Sequence, residues 1–112
     1  MAITNPDYSN LNHEEMATLI GLKAKHMPML IASFLEESNP ILSTLRTAIN
    51  SSDYSVIKAS AHSIKGSAGN LRFNEVYEMA REMELAGGDS DASFDYGGHL
   101  DAIKNAIGTI KI

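Results

Sequence analysis

The sequence predicts an all-α protein, an up-and-down antiparallel four-helix bundle with a short additional N-terminal helix. Long stretches carry apolar residues at helical spacings, no segment shows a convincing period of two, and only 3 prolines interrupt 112 residues. Because short loops separate the amphipathic stretches, we expect neighbouring helices to run antiparallel. The expected single domain spans residues 1–112, with helices near residues 12–21, 23–50, 53–71, 74–86 and 94–110.

The first two helices are predicted from a capping pattern and from apolar spacing. Asn12 followed by Glu15 is typical of a capping box that opens a short helix. Pro40 falls inside the apolar pattern of the second helix and cannot donate to the carbonyl of Glu36. We expect a kink at Pro40, and a break into two helices is the alternative.

The last three helices have recognisable boundaries. Asp53, with the two serines before it, is expected to cap the third helix, and Asn74 is expected to cap the fourth. The Gly87–Gly88 pair predicts a left-handed stop at the end of the fourth helix. A fifth helix then follows the loop GGDSDAS.

The composition excludes several classes of function. The chain has no cysteine, which excludes disulfides, thiolate zinc sites and cysteine nucleophiles. A net charge of −5 supplies no basic stripe for phosphates, so we expect no nucleic acid partner. Histidines without metal-ligand spacing indicate no metal site. The longest apolar run, residues 27–35, is too short to span a bilayer, and the N-terminus does not resemble a signal peptide, so we expect a cytoplasmic protein without membrane association.

The polar face of the third helix carries the residues with chemical potential. Opposite the apolar stripe, helical spacing aligns Ser55, Lys58, Ala59, His62, Lys65, Gly66 and Gly69. A mid-helix glycine costs about 1 kcal/mol relative to alanine, a cost often tolerated where another molecule approaches closely. Free imidazole titrates at about pH 6.5 and is mostly a neutral nucleophile at neutral pH. His62 beside Lys65 therefore suggests a site that handles an anionic group.

A family resemblance rests on these residues. The run from Ala61 to Ala68, closed by Leu71, resembles the His-x-x-Lys-Gly-Ser signature of histidine-containing phosphotransfer (HPt) domains. The segments around residues 34–48 and 80–84 also look like the flanking helices of that family, so that residues 22–110 are covered. Arg72 departs from the pattern, since a glycine usually follows the closing leucine, and Gly69 replaces a bulkier residue.

The resemblance implies a phosphorelay intermediate without a cofactor of its own. His62 would attack the acyl phosphate of a response-regulator receiver aspartate through Nε2, and the receiver would bring Mg²⁺. The resemblance assigns phosphoryl charge stabilisation to Lys65 and open access to Gly66. Glu84, on the adjacent helix, is the candidate that holds Nδ1 of His62.

The resemblance also implies a docking surface, with receiver domains and a hybrid sensor histidine kinase as partners of a monomer. Residues 27–35 are apolar almost all round the helix, which is more than one core-facing stripe requires. We therefore expect an exposed patch beside His62 formed by Met16, Ile20, Met27, Ile31 and Phe34. Further docking residues are expected on the third helix at Lys58, Ala59 and Gly69.

Two other functions remain open from the sequence. One is the phosphorylatable domain of a chemotaxis-type or hybrid histidine kinase, in which an ATP-binding domain would charge His62. No such domain follows in this chain, and the start at Met1 favours a stand-alone protein. The other is a helical adaptor whose histidine is vestigial, which would need no reactive His62.

Overall fold

The computed structural model, which describes residues 3–111, confirms the all-α class. These residues form helices and no strand. The α-helices are α1 His13–Ile20, α2 Met27–Asn50, α3 Tyr54–Asn70, α4 Asn74–Gly88 and α5 Tyr96–Gly108, and a 3₁₀ helix spans Ala24–His26. Met1, Ala2 and Ile112, at the ends of the predicted domain, lie outside the described residues.

Helices α2 to α5 form the bundle. Each of them packs against the next along the chain, and α5 packs back against α2, so that α3 lies diagonally opposite α5. The contact between α3 and α4 is the most extensive. Helix α1 and the 3₁₀ helix pack at the N-terminal end of α2.

Aromatic packing fastens the N-terminal segment to the end of the bundle. The buried ring of Phe73, between α3 and α4, lies 5.2 Å from that of Phe34 and 4.7 Å from that of Tyr8. The Tyr8 hydroxyl donates to Oε1 of Glu75 at 2.9 Å, and its backbone N–H donates to Oγ1 of Thr109 at 2.8 Å. Burial raises the pKa of the Tyr8 hydroxyl, which therefore stays a donor.

Helix α2 continues through Pro40, so the alternative of two separate helices is wrong. Pro40 and Glu36 are both exposed, and the Glu36 carbonyl that loses the Pro40 donor lies on a side open to water. Inside the bundle, the buried Ser38 Oγ donates to the carbonyl of Phe34 at 2.7 Å. The 24 residues of α2 thus form one element along the site.

Two of the predicted N-caps are present. Asn12 Oδ1 accepts from the backbone N–H of Glu15 at 3.0 Å, and Asp53 Oδ1 accepts from that of Val56 at 3.3 Å. Each side chain satisfies a backbone donor that the first turn of its helix leaves unpaired.

Two predicted details of α4 are wrong. Asn74 is the first helical residue, and the N-cap position belongs to Phe73, which makes no side-chain cap because its ring is buried in the core. Gly87 and Gly88 both remain helical, and the left-handed residue after α4 is Ser90, with φ 50°. The reason for glycine at position 87 is the close packing of α4 on α3.

Candidate functional site

His62 projects from the middle of α3 into solvent. The opposite side of α3 buries Ile57, Ala61, Ile64 and Ala68, whose spacing fixes the rotation of the helix in the bundle. His62 falls outside this stripe, and 67% of its side chain is exposed. The core packing of α3 therefore determines that the imidazole faces outward.

Glu84 of α4 connects His62 with Lys65. Its Oε2 lies 2.8 Å from Nδ1 of His62, and its Oε1 lies 2.7 Å from Nζ of Lys65. Only 16% of the Glu84 side chain is exposed, against 23% for Lys65. The most extensive helix contact of the bundle thus brings together three residues that the sequence singled out.

The charge state of Glu84 determines what the imidazole can do. The hydrogen bond from Lys65 and then that from His62 hold the pKa of the Glu84 carboxyl below its usual range, although burial opposes the shift. Glu84 is therefore an ionised acceptor at neutral pH, and Nδ1 of His62 must donate to it. In a neutral imidazole this places the lone pair on Nε2, the nitrogen turned away from Glu84.

A shallow groove between α2 and α3 runs beside His62, on the side away from α4. We call it the α2–α3 groove; it extends from Leu30 and Leu71 at one end, past His62 and Gly66, to Ala59 at the other. A Cβ built on Gly66 would meet no atom within 4 Å. The space next to the imidazole is therefore open, as the prediction for Gly66 requires.

The expected exposed patch is wrong in its residues. The structure buries Met16, Met27, Ile31 and Phe34 and leaves Ile20 half-buried. The N-terminal half of α2 carries so many apolar residues because it meets both the bundle core and α1, which covers a second side of the helix. The large apolar side chains exposed in this region are Leu19, Leu22 and Met29.

The three further docking residues on α3 separate in the structure. A Cβ on Gly69 would lie 3.1 Å from the Tyr77 ring, so this glycine makes room for α4. Lys58 is exposed and runs beside Gly88 of α4. Ala59 alone of the three lines the α2–α3 groove.

The sequence reasoning missed the polar lining of the groove. Ser63, Ser67 and Asn70 line it from α3, and Glu37 faces them from α2. A signal was available, because positions 63, 67 and 70 share the helical face of Gly66. Without the position of α2, however, that face could not be distinguished from an ordinary solvated one.

The fold and the site together define a helical bundle that displays one exposed, oriented histidine. The family model for the Hpt domain matches residues 29–111, about three quarters of the chain. The chain belongs to the Hpt domain family, whose members carry phosphoryl groups on histidine in two-component signalling and interact with receiver domains of response regulators. No curated protein and no solved structure matches the chain significantly.

Two further findings concern residues 3–111. No cluster of three or more His, Asp or Glu side chains among them is arranged to hold a metal ion. Within the same range, no helix combines the length and the apolar character needed to cross a bilayer.

Proposed function

We propose that this chain is a histidine phosphotransfer intermediate of a multistep phosphorelay. It accepts a phosphoryl group on His62 from the aspartate of one receiver domain and passes it to another, as a carrier without turnover of its own. The observation that carries the proposal is the contact of Glu84 with Nδ1 of an imidazole whose Nε2 is free. This arrangement presents a nucleophilic nitrogen at neutral pH.

The transfer follows from the orientation of the ring. Nε2 of His62 attacks the phosphorus of the receiver's aspartyl phosphate in line. The N–P bond forms as the P–O bond to the aspartate breaks, and the electron pair leaves with the carboxylate. The ring, which still carries the proton on Nδ1, gains positive charge, and the carboxylate of Glu84 stabilises it at 2.8 Å. Transfer to the second receiver reverses these steps.

Lys65 and Gly66 support the transfer in different ways. Lys65 pairs with Glu84 while His62 is unmodified and turns toward the phosphoryl oxygens once they arrive, because a dianion attracts the ammonium group more strongly than one shared carboxylate. Gly66 leaves the space that the incoming phosphoryl group and receiver occupy.

The α2–α3 groove is the proposed docking surface for the receiver. It passes His62, and its lining combines apolar and polar side chains with the carboxylate of Glu37, as the surface of a transient interface does. The exposed Met29, near the Leu30 end of the groove, extends the contact area. We assign the Mg²⁺ of the reaction to the receiver and no cofactor to this chain.

The proposal is tested by offering the protein a panel of receiver domains that carry radiolabelled aspartyl phosphate. Wild type should take up a label that is labile in acid and stable in base, and His62→Gln should take up none. His26→Gln is the matched control, since His26 is also exposed and belongs to the short 3₁₀ helix before α2. Label from ATP and a kinase domain but from no receiver would favour the kinase-derived function, and no label from either source would favour the adaptor.

A further inference from the structure

A second glutamate–histidine pair lies buried between α4 and α5. His99 is 3% exposed and Glu82 is 9% exposed. Nε2 of His99 lies 3.0 Å from Oε1 of Glu82, and Nδ1 lies 2.8 Å from the backbone carbonyl oxygen of Asp95. The proposed phosphotransfer at His62 does not involve this pair.

The two contacts of His99 together require a proton on each ring nitrogen if Glu82 is ionised. A carbonyl oxygen only accepts hydrogen bonds, so Nδ1 must carry a proton. An ionised carboxylate also only accepts, so Nε2 must carry one as well if Glu82 is ionised. A neutral imidazole beside an ionised carboxylate is therefore one proton short of satisfying this geometry.

The surrounding charges supply no substitute for that proton. The titratable side chains that flank the pair along the chain are Glu78 and Arg81 on α4, Asp95 and Tyr96 at the start of α5, and Asp89 and Asp91 in the loop before it. Arg81 pairs with Glu78 at 3.2 Å, and Asp95 accepts from the backbone N–H of Gly98 at 2.9 Å. Within residues 3–111, no lysine or arginine nitrogen lies within 4.0 Å of Glu82. Without an added proton the pair would bury a net negative charge, which is strongly unfavourable.

We propose that Glu82 and His99 hold one additional proton between Oε1 and Nε2 in the folded protein, and that this pair of zero net charge clasps α5 onto α4. We call Glu82, His99 and the Asp95 carbonyl the α4–α5 clasp. The Phe94 ring, 4.3 Å from the imidazole between centroids, covers one face of the pair. The clasp joins two helices whose contact is much less extensive than that of α3 with α4.

The clasp makes the attachment of α5 sensitive to pH. In the unfolded chain a histidine is neutral above about pH 6.5 and a glutamate is ionised, so the two side chains together hold no added proton there. The folded protein then binds one proton more than the unfolded chain, and its stability decreases as the pH rises. One proton changes the unfolding equilibrium constant by at most about tenfold per pH unit.

The test compares the unfolding equilibrium of wild type, Glu82→Gln and Glu84→Gln from about pH 6 to about pH 9. In Glu82→Gln the amide N–H donates to Nε2 of a neutral His99, so no added proton is required. We expect the unfolding constants of wild type and Glu84→Gln to rise by several-fold more across this range than that of Glu82→Gln. The same pH dependence in wild type and Glu82→Gln would overturn the proposal.

A second measurement needs no variant. Nitrogen and proton NMR of the wild-type His99 ring at neutral pH should show a proton on Nδ1 and a further, strongly deshielded proton bridging Nε2 and Glu82. Hydrogen exchange of the α5 amides should then accelerate more with rising pH, after correction for intrinsic rates, than that of the α3 amides. Absence of the bridging proton would overturn the proposal. Neither readout involves phosphate, so both are independent of the function of His62.

Discussion

Oε2 of Glu84 lies 2.8 Å from Nδ1 of His62, while the other oxygen of the same carboxylate binds Nζ of Lys65 at 2.7 Å. One side chain on α4 therefore orients the histidine and restrains the lysine that lies one turn further along α3. The ring nitrogen left exposed is Nε2, and its partner nitrogen already carries the proton. We infer that the reactivity of this site depends on a residue outside the sequence motif.

The first prediction concerns Glu84 as a positioning residue. Glu84→Ala removes the acceptor for Nδ1–H, and phosphate uptake from a phosphorylated receiver should slow by about ten- to a hundredfold, the range of one charge-assisted hydrogen bond. Glu84→Gln keeps an acceptor without the charge and should lose less. Rapid-quench kinetics at saturating receiver measure both rates, because a positioning role lowers the maximal rate with little change in half-saturation.

A merely structural role for Glu84 gives a different result. Equal rates in Glu84→Ala and wild type, at equal helical content by circular dichroism, would contradict the assignment. Lys65→Ala is the matching variant on α3. It removes the ion pair between Lys65 and Glu84 but keeps Glu84 as the acceptor for Nδ1–H of His62.

The second prediction concerns acid. Lys65 and His62 hold the pKa of Glu84 below its usual range. Because the pKa of Glu84 is lower in the folded protein than in the unfolded chain, its ionised form stabilises the fold. This stability is fully present above the unfolded pKa and is lost as the pH falls through the folded pKa. The stability advantage of wild type over Glu84→Gln should therefore be constant near neutral pH and shrink below about pH 4. Urea denaturation across the acid range measures it, and a difference that stays constant down to full protonation would contradict the shift.

The third prediction contrasts two glycines. A Cβ on Gly66 meets nothing within 4 Å, so Gly66→Ala should raise the free energy of unfolding by about 0.5–1 kcal/mol through helix propensity. A Cβ on Gly87 would lie 3.1 Å from Cγ2 of Ile57 and 3.2 Å from the backbone nitrogen of Lys58, which cannot move aside. Gly87→Ala should instead lower the free energy of unfolding by about 1 kcal/mol or more. Chemical denaturation measures both changes in the free energy of unfolding. A change of the same sign in both variants would contradict the close packing of α4 on α3 at Gly87.

The fourth prediction concerns the docking surface. Asn70 lines the α2–α3 groove at the C-terminal end of α3, whereas Asn105 is exposed on α5, diagonally across the bundle. Asn70→Glu should raise the receiver concentration for half-maximal transfer by about tenfold, since a charge placed in an interface costs about 1–3 kcal/mol. Asn105→Glu should leave it unchanged. An equal effect of the two variants would place the receiver elsewhere.

Local pattern was sufficient for the helices and for placing His62 on the exposed side of α3, but not for the neighbours of each helix face. The run Met27 to Leu35 shows that a second side of α2 is covered, and periodicity cannot tell whether α1 or another protein covers it. The structure shows that α1 does. Gly66 and Gly69 illustrate the same limit, because both are glycines on the polar side of α3, yet only Gly69 faces an aromatic ring on α4.

The caps show which local signals are reliable. Asn12 and Asp53 precede their helices with no competing demand on the side chain, and both form the predicted bond. At α4 the buried Phe73 takes the cap position, because the core requires its ring there. Tertiary packing therefore overrode a local preference where the boundary residue was large and apolar.

Two glutamates of α4, Glu84 and Glu82, each bind a histidine, and the two histidines differ in exposure. Glu84 holds a histidine with 67% of its side chain exposed, whereas Glu82 holds one with 4% exposed. Burial thus separates a histidine available to a partner from one enclosed between helices. The exposed pair leaves a ring nitrogen free, and the buried pair uses both nitrogens.

The most direct test of the proposed function locates the phosphoryl group after transfer from a receiver. The chain contains 4 histidines, so mass spectrometry of the phosphorylated protein identifies the residue, and nitrogen NMR of the ring identifies the atom. The proposed transfer leaves a single phosphoryl group on Nε2 of His62, with Nδ1 still protonated toward Glu84. Phosphate on Nδ1, or on any other histidine, would contradict it.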